Sequence, residues 1–356
     1  MTKTMMRGAL ALPLLLAAPV ALADEAASDM TAEIVALGLR ADAHGPAGTM
    51  GEHVHKSGDV MVGLMWMHES YGGANRTGTT ALSDEAVAGA GYTAKADAMT
   101  MDMAMLHIMV APSDRVTLMV VPSWMRMGMT MKGLPGDHEG GGHGGHHALM
   151  PGETAHHSTS GIGDTQIGAV LALSRRPALS VLASVMVSAP TGKVTRKNAD
   201  GTYVHYMMQG GSGTWDLNPS LTLRGQAEGF SWGVQAGYLF RAEQANAAGF
   251  RFGDRFAATA WLAKPLSPRL SLSARAQYSD EGPIKGHYNG SHSHAAPPDR
   301  QRNYGGEKLE LGLGGNLVIG DRLRLGAEAT VPVYQHVNSI QPPKRFGANL
   351  SANVMF

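Results

Sequence analysis

The chain has 356 residues, with 29 basic and 29 acidic side chains and therefore a formal net charge of zero. It contains no cysteine, which excludes disulfides, iron–sulfur clusters and thiolate metal sites. The balanced charge argues against binding to nucleic acid, which requires a clustered basic surface, and the 46 glycines favour short strands joined by turns over long helices.

The N-terminal residues predict a secretory signal peptide. Lys3 and Arg7 precede an apolar run, and a small-x-small cleavage pattern ends at Ala23. The run is too short for a helix that spans a membrane. We therefore expect residues 1–23 to be removed, and a buried N-terminal helix is the alternative.

Alternating apolar and polar residues predict β-strands along the rest of the chain. In the stretch FSWGVQAGYLFR, which begins at Phe230, every even position is apolar and the odd positions are mostly small or polar. Alternation over about 10 residues is typical of a tilted strand that crosses a bilayer. The chain carries about twelve such segments, near residues 59–69, 98–110, 114–127, 162–174, 179–189, 214–226, 229–241, 252–264, 268–280, 306–318, 322–335 and 345–356.

The connections between these segments alternate in length. Short turns such as Arg175–Pro177 are followed by longer predicted loops, among them residues 128–161 and 336–344. Short turns on one side and long loops on the other are the arrangement of outer-membrane barrels. A soluble β-sandwich with one wet face is the alternative, and it would explain the alternation but not the difference in loop length.

We therefore predict an all-β protein, a transmembrane antiparallel barrel of about 12 strands in the bacterial outer membrane. Residues 59–356 form the barrel in this prediction. Residues 24–58 form a periplasmic N-terminal segment that could fill the barrel as a plug. Aromatic girdles are predicted at Trp66, Trp124 and Trp215 near the loop ends and at Trp232 and Trp261 near the turn ends.

Methionine is concentrated in the first three predicted strands, on the face opposite the lipid-type residues. Other strands carry polar residues on that face. Antiparallel pairing should bring together Met65, Met67, Met99, Met101, Met103, Met105, Met125 and Met127, with His107 on the same line. Thioethers are soft ligands that suit Cu(I), but methionine is also an adaptable apolar filler that suits the binding of small apolar molecules.

Histidine is concentrated in the glycine-rich stretch 136–157. The candidate ligands there are His138, His143, His146, His147, His156 and His157. A short histidine-rich tract is a compositional signal for metal binding and favours Cu(II), Zn or Ni. A flexible hydrophilic loop with incidental histidines is the alternative. Two smaller groups occur, one within residues 287–294 and one made by His44, His53 and His55.

Several stretches resemble a family of outer-membrane barrels associated with the meta-cleavage pathway of phenol degradation. They are GIGDTQIGAVLAL (161–173), SAPTGK (188–193), GSGTWDLNPSLTL (211–223) and FGDRFAATAW (252–261). The resemblance implies a barrel that takes up aromatic compounds. In its methionine and histidine composition the chain is also similar to the outer-membrane copper-resistance B proteins, which implies a copper role.

No Ser/His/Asp order, phosphate loop or zincin motif stands out, so a non-enzymatic protein is predicted. The leading hypothesis is a barrel that binds or conducts metal ions in resistance or homeostasis, with copper as Cu(I) at methionine and Cu(II) at histidine. The alternatives are a passive channel for small hydrophobic or aromatic compounds, and a barrel with no transport role. Expected partners are outer-membrane lipid, a metal ion or small apolar solute, and the barrel assembly machinery through Phe356, but no nucleic acid.

Overall fold

The computed structural model of the protein describes residues 40–136, 149–227 and 229–356. These residues form a closed antiparallel β-barrel of twelve strands, which confirms the predicted fold. The predicted signal peptide lies outside the described residues. Within the described part of the chain, no helix is both long enough and apolar enough to cross a membrane.

Twelve strands follow one another around the barrel, and two of them are interrupted. Pro122 interrupts the third because proline has no N–H for the ladder, and Gly163 and Asp164 interrupt the fourth. The strands are β1 Val60–Gly72, β2 Ala94–Ser113, β3a Val116–Val121, β3b Ser123–Gly133, β4a Thr154–Ile162, β4b Thr165–Arg175, β5 Ser180–Ala189, β6 Asp216–Gln226, β7 Ser231–Arg241, β8 Arg255–Ser267, β9 Leu270–Glu281, β10 Gly306–Ile319, β11 Leu323–Gln341 and β12 Lys344–Met355.

Pairing between the first and last strands closes the barrel. β1 and β12 are antiparallel, with a register that runs from Met61 opposite Met355 to Ser70 opposite Phe346. Each of the other strands pairs with its neighbours in the chain. Because closure leaves no unpaired sheet edge, the backbone polar groups are satisfied inside the barrel wall, as a bilayer requires.

The outward face of the barrel is apolar. Leu64 is 56% exposed and Leu313 is 72% exposed, whereas Met61 of the inward face is 4% exposed. An apolar band around a closed barrel is the surface that bacterial outer-membrane proteins present to lipid. The protein is therefore an outer-membrane barrel, as predicted.

Two predicted loops are shorter than expected because the strands continue beyond the alternating segments. β11 runs to Gln341 and β12 begins at Lys344, so the predicted loop 336–344 is reduced to two prolines. The predicted loop 128–161 likewise contains the end of β3b and nearly all of β4a. Beyond the bilayer neither face of a strand must be apolar, so pairing continues where the alternation has already ended.

The prediction that Trp261 belongs to an interfacial girdle was wrong. Its side chain is 5% exposed and lies inside the barrel, whereas Trp66, Trp124 and Trp215 point outward. A Cβ atom added at Gly233 would come 2.1 Å from the Trp261 ring, so the absence of a side chain there makes room for the indole. Height along the barrel was predicted correctly, but the face of the strand was not.

The outer loops contain short helices and strands. They are the helix α1 Asp84–Gly89, the 3-10 helices Tyr206–Met208, Pro297–Asp299 and Gln301–Asn303, and the short strands Arg76–Gly78, Thr80–Ala81, Phe250–Arg251 and Lys285–Gly286. The side chain of Ser83 accepts a hydrogen bond from the amide of Ala86 and caps α1.

Residues 40–58, which we call the inner segment, lie inside the barrel. Arg224 of β6 donates to the carboxylate of Glu52 at 2.6 Å. Ser231 of β7 donates to the carbonyl of Asp42 at 2.7 Å, and Gln235 donates to the carbonyl of Met50 at 3.0 Å. Side chains of the barrel strands thus bind the inner segment largely through its backbone carbonyls. The division of the chain at residues 23 and 58 stays a prediction.

Candidate functional site

Methionines line the inner face of three adjacent strands, β1, β2 and β3. Two cross-strand rows form, Met67–Met103–Met125 and, nearer the periplasmic turns, Met61–Met109–Met119. We call this surface the methionine wall, which comprises Met61, Met65, Met67, Met99, Met101, Met103, Met105, Met109, Met119, Met125, Met127, Met129 and Met131. The structure brings all the predicted methionines together on it. Their role as metal ligands stays a prediction.

The methionine wall is packed along its whole height. Its periplasmic half contacts Met50 and Val54 of the inner segment. Its outer half contacts Val204 and Met208, which belong to the loop between β5 and β6. Flexible thioethers fill the irregular space between the strands and these two segments.

Next to the outer end of the methionine wall, the outer loops form a cluster of aromatic side chains. The ring of Tyr288 stacks between Tyr203, with centroids 4.4 Å apart, and Tyr206, with centroids 4.3 Å apart. Phe250 meets Tyr206 edge-on at 4.8 Å. Burial raises the pKa of Tyr206 to about 12, so its hydroxyl stays neutral. The aromatic cluster consists of Tyr203, Tyr206, Phe250, Tyr288 and Tyr304.

The aromatic cluster and the methionine wall form one continuous apolar surface. Met207 packs against both of them. The pairing of Met103 with Met125 joins the outer half of the wall to the periplasmic half. At the periplasmic end of the methionine wall, Met61 lines a cavity of about 370 Å³. We call it the periplasmic cavity because it lies beside the periplasmic turns.

The other side of the lumen is charged. Arg275 of β9 makes a bidentate ion pair with Glu328 of β11, with both N–O distances at 2.7 Å. Lys344 of β12 lies 2.7 Å from each of the carboxylates of Glu69 and Glu310. These inward positions agree with the sequence alternation. The lumen therefore has an apolar, sulfur-rich side and a side of paired charges.

The predicted histidine ligands fall into three groups. His107 is 7% exposed on the methionine wall, and its Nε2 has no hydrogen-bond partner among the described residues. His156 and His157 lie in β4a rather than in a loop, opposite Thr130 and Met129 respectively. Adjacent strand residues point to opposite faces, so these two imidazoles do not converge on one ion as expected. His138, His143, His146 and His147 lie outside the described residues.

The aromatic cluster was not found from the sequence. Its members come from three separate loops, and no periodicity relates Tyr203, Phe250 and Tyr288. The only available signal was the frequency of aromatic residues in loops that were expected to be polar. Packing between those loops, which depends on the closed barrel beneath them, brings the rings together.

Comparisons with known proteins identify the family of the chain, and a solved structure shares its fold. The model of the family described as "Putative MetA-pathway of phenol degradation" matches residues 137–327. An outer membrane channel from Pseudomonas putida F1 shares the fold with a TM-score of 0.58 at 15% identity, over 86% of this chain and 99% of that chain. The transport unit of the autotransporter AIDA-I from Escherichia coli has a TM-score of 0.46 at 7% identity, over 92% and 99%. No curated protein sequence matches the chain.

Proposed function

Because the chain belongs to the family of the MetA-pathway of phenol degradation, we propose that it is a passive channel for small hydrophobic or aromatic compounds. The family and the fold are those of channel-type outer-membrane barrels and not of enzymes. The observation that supports the cargo is the apolar surface that runs from the aromatic cluster through Met207 and the methionine wall to the periplasmic cavity.

The side chains along this surface suit a neutral aromatic ring. Tyrosine rings offer stacking and edge-to-face contacts at the outer end. Thioethers make favourable contacts with aromatic rings, worth roughly 0.3–1.5 kcal/mol each, and their unbranched side chains move aside easily. The surface is packed in this structure, so a solute passes only when methionine side chains change rotamer. Many weak contacts of this kind allow a solute to bind and also to leave.

A charge in the middle of the methionine wall should block this route. Met103 pairs with Met67 on one side and Met125 on the other. We expect Met103→Asp to reduce the uptake of labelled toluene by intact cells by about tenfold or more, because an apolar solute would have to displace a hydrated carboxylate. Uptake is measured in cells that lack the native gene and express the variant at matched levels.

Met103→Leu is the matched control because leucine keeps the volume and the apolar character of methionine. Its uptake of toluene should remain within about twofold of the unsubstituted protein. The proposal fails if expression of the unsubstituted barrel does not raise uptake, or if the aspartate and leucine variants behave alike.

The facing rows of thioethers also suit Cu(I), and this is the second candidate function. Neighbouring strands are about 4.8 Å apart, so flexible methionine side chains on paired positions can reach one soft ion. A quadruple change of Met99, Met101, Met103 and Met105 to leucine removes sulfur and keeps the lining apolar. We expect toluene uptake to be retained in this variant. A parallel loss of Cu(I) binding by the purified barrel and of copper tolerance would favour the metal function instead.

A further inference from the structure

The inner segment carries a compact group of imidazoles around one carboxylate. Nδ1 of His53 lies 2.7 Å from Oε1 of Glu52, and Nδ1 of His44 lies 3.4 Å from the same oxygen. Nε2 of His53 lies 3.2 Å from Nε2 of His55. Potential ligand atoms of His44, Glu52 and His53 all lie within 4.8 Å of one another.

The hydrogen bonding of Glu52 determines which nitrogen of His53 is free. The carboxylate accepts a hydrogen bond from Nδ1–H of His53, so the lone pair of that imidazole is on Nε2. Arg224 holds the same carboxylate at 2.6 Å from the barrel wall. A carboxylate that orients a histidine whose other nitrogen binds a metal is the usual outer shell of zinc sites.

The spacing of the two Nε2 atoms fits ligands of a single ion. With metal–nitrogen distances of about 2.0–2.1 Å and tetrahedral angles, two ligand nitrogens are about 3.3 Å apart. Nε2 of His53 and Nε2 of His55 are 3.2 Å apart. Without an ion, Nε2–H of His55 donates to Nε2 of His53. Both nitrogens can bind one ion when the proton of His55 moves to its Nδ1, which leaves the imidazole neutral.

The group is accessible from the periplasm and adjoins the wall. His44, His53 and His55 line the periplasmic cavity, which provides an access path for an ion. Met61 of the methionine wall lines the same cavity.

We infer that His44, His53 and His55, positioned by Glu52, bind a divalent metal ion of the Zn²⁺ class at the periplasmic end of the lumen. Imidazole and carboxylate groups favour Zn²⁺, Ni²⁺ and Cu²⁺ over Mg²⁺ and Ca²⁺. This site uses imidazole rather than thioether ligands and does not depend on the proposed cargo. The ion would stabilise the turn that contains residues 44–55 inside the lumen.

The inference is tested by calorimetric titration of Zn²⁺ into the purified full-length barrel in detergent after removal of metal with a chelator. The double variant H53Q/H55Q should bind one equivalent fewer than the unsubstituted protein. The matched control is H292Q/H294Q, which changes a pair of imidazoles in an outer loop whose ring centroids are 4.5 Å apart. This control should retain that equivalent.

A second variant decides the question if the double variant does not fold, as judged by heat-dependent electrophoretic mobility. His44 lies at the edge of the group, with 22% of its side chain exposed. We expect His44→Gln alone to weaken Zn²⁺ binding by about tenfold or more because one ligand is lost. Unchanged stoichiometry and affinity in the folded H53Q/H55Q variant, or in His44→Gln, would overturn the inference.

Discussion

Deletion of the inner segment, residues 40–58, is expected to open the periplasmic half of the lumen to water. Arg224, Ser231 and Gln235 currently reach the inner segment from the wall. The ladder of twelve strands closes between β1 and β12 without it. A barrel of this size is wider than the eight-stranded barrels that side chains alone can fill. Water should enter the space, and the freed wall side chains should be hydrated there.

Single-channel conductance in planar bilayers measures the effect. We expect the deletion variant to conduct at least about tenfold more current than the full chain, because lumen width controls ionic flow. Lys56→Ala is the matched control, since Lys56 is an exposed residue of the same segment, and it should conduct like the full chain. Equal conductance of the deletion variant and the full chain would show that the inner segment does not limit the ionic current.

Loss of Arg275 is expected to destabilise the barrel strongly. The side chain of Glu328 is 1% exposed and that of Arg275 is 6% exposed. A Cβ atom added at Gly48 would come 2.6 Å from Glu328 Oε2, which shows how closely the inner segment covers the pair. Arg275→Ala leaves a buried carboxylate whose remaining hydrogen-bond partner among the described residues is the amide of Asn349, 3.2 Å away. Breaking a buried pair in this way costs about 3–5 kcal/mol.

The free energy of unfolding is measured by guanidinium titration of the barrel in phospholipid vesicles, followed by tryptophan fluorescence. The double variant R275L/E328L should recover most of the loss because no buried charge remains. Lys285→Ala is the matched surface control, since Lys285 is 54% exposed and lies 3.9 Å from Asp254, and it should change the stability by about 0–1 kcal/mol. An Arg275→Ala variant as stable as this control would contradict the expected cost of the unpaired carboxylate.

The strands and their inward faces were predictable because a bilayer imposes a strict local rule. Each spanning strand must place apolar side chains outward at every second position. The alternation alone therefore identifies the face on which the charged residues Arg275 and Glu328, and the methionines of β2, must lie. The first three strands could also be aligned as neighbours, which is why the methionine wall could be predicted.

The predictions failed where that local rule ends. β11 continues to Gln341 and β4a begins at Thr154 because strands outside the bilayer need no apolar face. His156 and His157 were assigned to a loop for the same reason, and the strand separates them. Trp261 was placed by its distance from a turn, although it lies opposite Gly233 on the inward face of its strand, where the glycine leaves room for its ring.

The sequence by itself determined the class of the protein, the strands, the face of nearly every residue in them and the sulfur-rich side of the lumen. These features depend on the period of two along one strand. Only the tertiary structure decided which distant groups meet. The inner segment reaches Arg224 across 172 positions of the chain, and the stacked rings of Tyr203 and Tyr288 come from different loops. Such contacts follow from the closure of the barrel, which no local pattern encodes.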